Sequence, residues 1–216
     1  CKMNSLIDKY NIPGPRYTSY PTVPFWDEAS FTSDLWQESV IKSFNESNAE
    51  EGISIYIHLP FCEALCTFCA CHKRITKQHS VETPYLETVL KEWDLYVKLF
   101  SDSAKKPKIK ELHLGGGTPT FFSPGNLRKL LEGIFSKAEI AENPEFSFEG
   151  HPNNTTRAHL QTLYDLGFRR ASFGVQDYDP KVQKAINRIQ PFENVENVTN
   201  WAREIGYKGV SHDLVF

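Results

Sequence analysis

Hydrophobic and polar positions fall into two periods that take turns along the chain. Over residues 52–58 they alternate: Ile53, Ile55 and Ile57 are apolar, while Ser54, Tyr56 and His58 are polar or amphipathic. Period two sends the two sets to opposite faces of a strand. From Thr83 to Phe100 the spacing changes, and Leu86, Val89, Leu90, Trp93, Val97 and Phe100 recur on one helical face. Thr83 reads as the N-cap of that helix and Pro84 as its first residue. The exchange then repeats, with strands predicted at residues 109–114, 145–149, 170–175 and 208–216. A helix opening at Ser123-Pro124 carries Leu127, Leu130, Leu131 and Ile134. Another carries Leu160, Leu163 and Leu166 and ends at Gly167. A short helix runs from Asp179-Pro180 to about Ile186, and a last one carries Phe192, Val195, Val198, Trp201, Ala202 and Ile205 before Gly206. Ahead of all these, residues 31–44 read as a helix with Leu35, Trp36, Val40 and Phe44 near one face, and Lys105 to Lys110 as a solvated basic connector.

Strand then helix, repeated, predicts an α/β fold with a parallel sheet. One strand face should pack on the helices. The other carries Tyr56 and His58, Glu111 and His113, Ser147 and Glu149, then Ser172, Gly174 and Gln176, and finally Ser211 and Asp213. A polar inner face suggests a partial (βα) barrel of parallel strands, truncated at about the fifth strand. The polar residues lie towards the C-terminal ends of their strands, the end that carries the active site in βα barrels. The expected organisation is an N-terminal arm and helix over residues 1–50, packed on a partial barrel over residues 51–216. The chain stops inside an apolar strand with no helix to cover it, which reads as a fragment.

The 216 residues are 40% hydrophobic, enough for a real core and too apolar for a disordered chain. A net charge of -3 gives no sign of nucleic-acid binding. No apolar run is long enough to span a membrane, and CKMNSL is not a secretory signal. Clustered cysteines without a signal suggest a reducing compartment, hence the cytoplasm. Cys1 stands apart as a tail thiol.

Four of the five cysteines lie between Tyr56 and His72, just after the first strand. Cys62, Cys66 and Cys69 spell C-x3-C-x2-C, and Cys71 follows one residue later. Thiolates this close suit an iron–sulfur cluster or zinc. Three thiolates on a [4Fe–4S] cube leave one iron open to a non-protein ligand, as a catalytic site needs. Zinc could instead take all four cysteines, or three with His72.

This loop, with GPRYTSYPT at Gly14 to Thr22 and GGGTPT at Gly115 to Thr120, resembles the radical S-adenosylmethionine (SAM) enzymes. Cys71 and GPRYTSYPT narrow the resemblance to the oxygen-independent coproporphyrinogen III oxidases, from about Leu6 to Phe216. The resemblance implies Cys62, Cys66 and Cys69 as cluster ligands. It also implies two SAM molecules held by Tyr56, Phe68, Gly116, Gly117, Thr118, Glu149, Gln176, Arg188 and Asp213. The bland alternatives are core aromatics at Tyr56 and Phe68, a tight turn at the glycines, and mouth acids paired with Arg169 or Arg188. Tyr56, His58 and Cys71 are the candidate catalytic residues, His58 as a donor near the cluster or as a satisfied strand histidine. Arg16, Tyr17 and Tyr20 could meet a tetrapyrrole by charge and stacking.

The implied reaction starts with one electron passed from the cluster to SAM, supplied by an unidentified donor. The resulting 5′-deoxyadenosyl radical takes hydrogen from the β-carbon of a propionate, and loss of CO2 and an electron leaves a vinyl group. Two such steps turn coproporphyrinogen III into protoporphyrinogen IX in haem biosynthesis, and a monomer is expected. One stretch departs from the family, because Gly150-His151 stands where the oxidases have a valine and then an acid. The competing readings are a haem chaperone or radical methyltransferase, and a non-catalytic metal or electron-transfer module. Chaperone-type relatives lack a residue matching Cys71.

Overall fold

The computed structural model describes residues 6, 9, 22–27, 29–101 and 106–215. The chain divides into two compact units, residues 1–40 and 41–216. In the first, Val23–Phe25 forms a single 3₁₀ turn, and helix α1, Ser33–Ser47, begins. Arg16, Tyr17 and Tyr20 of the GPRYTSYPT stretch lie outside the described residues.

The second unit is built on five parallel strands: β1 Ile53–Leu59, β2 Lys108–Gly116, β3 Glu139–Gly150, β4 Arg170–Gln176 and β5 Gly209–Leu214. Their spatial order is the chain order, and every neighbouring pair is parallel. Between them run α2 Glu82–Phe100, α3 Pro124–Phe135, α4 Arg157–Asp165, α5 Pro180–Ala185 and α6 Phe192–Ile205. The expected α/β architecture of five parallel strands is therefore present.

The two strand faces separate as their period requires. Ile57, Leu59, Leu112, Leu114, Phe146, Phe148, Ala171 and Phe173 are buried in one core with Leu127, Leu130, Leu131, Leu160, Leu163 and Val198 of the helices. Each fully buried Leu or Phe stabilises the fold by roughly 1.5–3 kcal/mol. On the other face the register sets polar residues side by side: Tyr56 beside His113, His113 beside Ser147, Glu149 beside Ser172, and Gly174 beside Asp213.

Four details differ from the sequence expectation. The helix α2 starts at Glu82 after a 3₁₀ turn at His79–Val81, so Thr83 is not its cap. Pro84 is tolerated because the first four N–H groups of a helix need no intrahelical acceptor. The strand β2 begins at Lys108, inside the expected basic connector, where the Lys108 amide donates to Asn48 Oδ1 at 2.7 Å. The strand β3 begins six residues early and passes through Pro144, because Asn143 kinks it with φ 53° and Lys110 Nζ holds the Asn143 carbonyl at 2.9 Å. Phe192, expected on the core stripe of α6, is exposed and meets Tyr178 with ring centroids 5.4 Å apart.

Candidate functional site

Sequence places the cysteines directly after β1, and a short ribbon fixes where they go. Phe61–Cys62 pairs with Arg74–Ile75, so the loop leaves and returns at one point. Lys73 Nζ donates to the carbonyls of Cys69 at 3.0 Å and Cys71 at 3.2 Å, tying down the loop's last turn. The glycine run follows β2 and lies against it. The Gly117 amide donates to Leu59 O at 2.9 Å. A Cβ on Gly117 would stand 2.6 Å from Pro60 O and 3.0 Å from Cys62 Sγ, so only glycine permits this approach.

Cys62, Cys66, Cys69 and Cys71 all line one cleft of about 280 Å³ at the C-terminal ends of the strands. Phe68, Gly116, Gly117, Thr118, Glu149, Gln176, Arg188 and Asp213 line the same cleft. Tyr56 and His58 do not. Tyr56, 58% exposed, lines a neighbouring groove with Glu111, His113 and Ser147. Its hydroxyl and His58 Nδ1 are 3.0 Å apart, and its ring stacks on His113 with centroids 5.9 Å apart. His58 Nε2 meets His72 O at 2.7 Å, which makes it a satisfied histidine beside the cysteine loop.

The acids are held by neighbours other than those expected. Glu149 Oε1 lies 3.4 Å from His113 Nε2, whose Nδ1 meets Ser147 Oγ at 2.8 Å. Asp213 accepts from Ser172 Oγ at 3.1 Å. Arg169 turns away, over the ring of Tyr164. Arg188 Nη1 donates to Cys66 Sγ at 3.6 Å. Gln176 adopts φ 70° at the end of β4, a strained setting for a non-glycine residue that recurs at ligand sites.

Burial pushes the Cys62 thiol up, neighbouring Cys69 and Cys66 add to it, and the Thr118 hydroxyl and Arg188 charge oppose it. Burial also raises Cys71, with Cys69 and Glu149 adding to it. Burial raises Tyr56, helped by the charges of Glu149 and Cys71. Thiols crowded in this way are poor free thiolates, and a cationic metal centre reverses that balance.

A sequence profile of the Radical SAM superfamily matches residues 56–216. The chain belongs to the radical SAM superfamily. Among its curated radical SAM relatives is the oxygen-independent coproporphyrinogen III oxidase of Helicobacter pylori strain J99, 41% identical over 97% of this chain and 45% of that protein. The enzyme of the same name from Pseudomonas aeruginosa is 35% identical over 98% of this chain and 45% of its own length. The solved structure of coproporphyrinogen III oxidase from Escherichia coli, a radical SAM enzyme, superposes with a TM-score of 0.84 at 32% identity, covering 98% of this chain and 45% of that one. The chain thus spans under half the length of these relatives.

Membership implies a [4Fe–4S] cluster and SAM. The residues fit them: four thiols, the carboxylates of Glu63, Glu149 and Asp213 and the Arg188 guanidinium line one cleft, and the buried Arg188 Nε has no partner among the described residues. Among those residues no three His, Cys, Asp or Glu side chains converge on a single-ion site. His72, the possible fourth zinc ligand, turns its ring towards His58 with centroids 5.9 Å apart. Sequence reasoning passed over Lys73 and Asn187, which donate to carbonyls of the cysteine loop, and Thr67 within the loop, which donates to the Ala185 carbonyl. Their partners lie on carbonyls, and a carbonyl leaves no mark in a sequence.

Proposed function

We propose that the protein carries out the oxygen-independent oxidative decarboxylation of two propionates of coproporphyrinogen III, giving protoporphyrinogen IX. The observation that carries this reading is the shared cleft. The C-x3-C-x2-C thiols and the glycine run meet Glu149, Gln176, Arg188 and Asp213 there, drawn from the C-terminal ends of the five strands and the segments that follow them. The names of relatives at 34–41% identity support the substrate.

In this reading Cys62, Cys66 and Cys69 hold the cluster. When bound, the cluster and SAM supply one electron and a carbon radical able to take hydrogen from an unactivated carbon. The chain's own residues bind, orient and exclude water. Gly116, Gly117 and Thr118 offer bare backbone and a hydroxyl to the methionine part of SAM. Glu149, held by His113, accepts hydrogen bonds from that ligand. Phe68 contacts that SAM beside the cluster loop, and Gln176, Arg188 and Asp213 hold a second SAM. Tyr56 and His58 brace the wall next to the cleft, and Cys71 stands at its open side as a thiol donor. An unidentified electron donor, a monomeric state and a cytoplasmic site complete the proposal. Among the described residues no helix is long and apolar enough to cross a membrane.

The test is anaerobic. The intact protein is loaded with iron and sulfide, reduced, and given SAM and coproporphyrinogen III. Formation of 5′-deoxyadenosine with loss of two CO2 from the tetrapyrrole is the expected result. Deoxyadenosine with an unchanged tetrapyrrole would move the substrate to another compound, and none from a loaded cluster would remove the enzyme reading.

A further inference from the structure

One short segment, far away in sequence, grips the cysteine loop. The carbonyls of Ala185 and Ile186, at the end of α5, accept from Thr67 Oγ1 at 3.2 Å and Thr67 N at 3.1 Å. Asn187 Nδ2 donates to Leu65 O at 2.7 Å. Arg188 then reaches in beneath the loop. Its Nη1 donates to Cys66 Sγ at 3.6 Å and its Nη2 to Gly174 O at 2.5 Å. A Cβ on residue 174 would lie 2.9 Å from that Nη2, so the glycine in β4 makes room for the guanidinium.

We propose that Arg188 tunes the cluster: its guanidinium gives an N–H···S hydrogen bond to Cys66 and fixes a positive charge beside the irons, raising their reduction potential. This rests on the reading of Cys62, Cys66 and Cys69 as cluster ligands. Reduction adds an electron to a site already ringed by thiolates. A cation and a hydrogen bond on a ligand sulfur favour the more negative state. Sulfur accepts at longer range than oxygen, so 3.6 Å is a bonding distance here. The Gly174 carbonyl keeps the charge from swinging towards solvent. Each terminal nitrogen retains a second N–H, so the same group can also meet a ligand carboxylate.

The test compares the intact wild-type protein with Arg188→Gln, both loaded anaerobically with iron and sulfide. Reduction by a chemical titrant is followed by electron paramagnetic resonance without SAM. At equal iron and sulfide content, Arg188→Gln lowers the reduction equilibrium about tenfold, a shift of about 59 mV to more negative potential. Asn187→Ala, which frees Leu65 but spares the guanidinium–sulfur pair, keeps the wild-type potential. Equal potentials in wild type and Arg188→Gln overturn the proposal, as does an equal shift in Asn187→Ala. If Arg188→Gln holds no cluster, wild-type protein grown with 15N-arginine decides the matter. A 15N hyperfine coupling to the reduced cluster supports the bond, and its absence overturns it. A wild-type protein that takes up no cluster overturns the ligand reading itself, a failure the iron content identifies.

Discussion

His151 lines the cleft beside Glu149, and its surroundings keep it uncharged. Its Nδ1 accepts from the Asn153 amide at 3.1 Å, which leaves the ring proton on Nε2. Burial, reinforced by the charge of Arg188, pushes its pKa down to about 3. The cleft therefore holds a neutral donor there. The sign of its stability effect follows. Below pH 6.5 the unfolded chain takes a proton on this histidine and the folded chain does not, so stability falls as pH drops. The loss is about 1.4 kcal/mol per pH unit until the folded pKa is reached. Urea denaturation at pH 7.5 and pH 5 checks this: wild type loses roughly 2 kcal/mol from this group, and His151→Gln loses that much less. An NMR titration in which the His151 ring shifts between pH 8 and pH 5 would contradict it.

At the scale of elements, a buried carboxylate joins the start of α2 to the start of α3. Glu82, 2% exposed, accepts from the Ser123 amide at 2.8 Å, Asn126 Nδ2 at 2.7 Å and His79 Nδ1 at 2.7 Å. His79 Nε2 lies 3.5 Å from Glu63, next to Cys62. Glu82→Ala leaves these donors unmet and costs about 2–3 kcal/mol in chemical denaturation of the cluster-free protein. The pH dependence has a definite sign. The Glu82 hydrogen bond raises His79, so that contribution is present below pH 6.5 and fades as pH rises through the raised value. Burial opposes ionisation of Glu82, yet its bonds to Asn126, Ser123 and His79 lower it overall. Its contribution is present above pH 4.5 and fades as pH falls through the lowered value. Both act together between those limits, so Glu82→Gln flattens the decline in stability above pH 6.5. A second prediction concerns the glycine run. Gly117→Ala drives a methyl into Pro60 O and Cys62 Sγ, so iron bound per chain after reconstitution falls below half of wild type while far-ultraviolet circular dichroism is unchanged.

Over the whole molecule, the sheet was legible because each strand keeps one largely apolar face. Ile53, Ile55 and Ile57 against Ser54, Tyr56 and His58 suffice to orient β1, and four further strands repeat the device. The cleft was legible for the same reason, since period two aims Glu149 and Asp213 at the face that carries the cysteine loop. What local pattern could not carry was contact across distance. Nothing near Cys66 announces Arg188, 122 residues away, and nothing at Pro144 announces that Lys110 holds β3 through its kink. The breadth of the cleft leads to a final prediction. Its thiols come from the loop after β1, while Asp213 comes from β5, held by Ser172 and with no bond to the cysteines. Lesions at the two ends should therefore separate. On the proposed ligand set, Cys69→Ala removes a cluster ligand, so both iron content and SAM binding fall. Asp213→Asn keeps the Ser172 contact and the fold but loses a charge facing the ligand, so iron content stays at the wild-type value while the Kd for SAM rises about tenfold, or roughly 1.4 kcal/mol. Equilibrium binding of SAM to anaerobic protein, measured beside iron and sulfide content, reads both quantities. If Asp213→Asn lost iron in step with SAM affinity, the cleft would be one cooperative unit rather than a cluster end and a ligand end joined by the sheet.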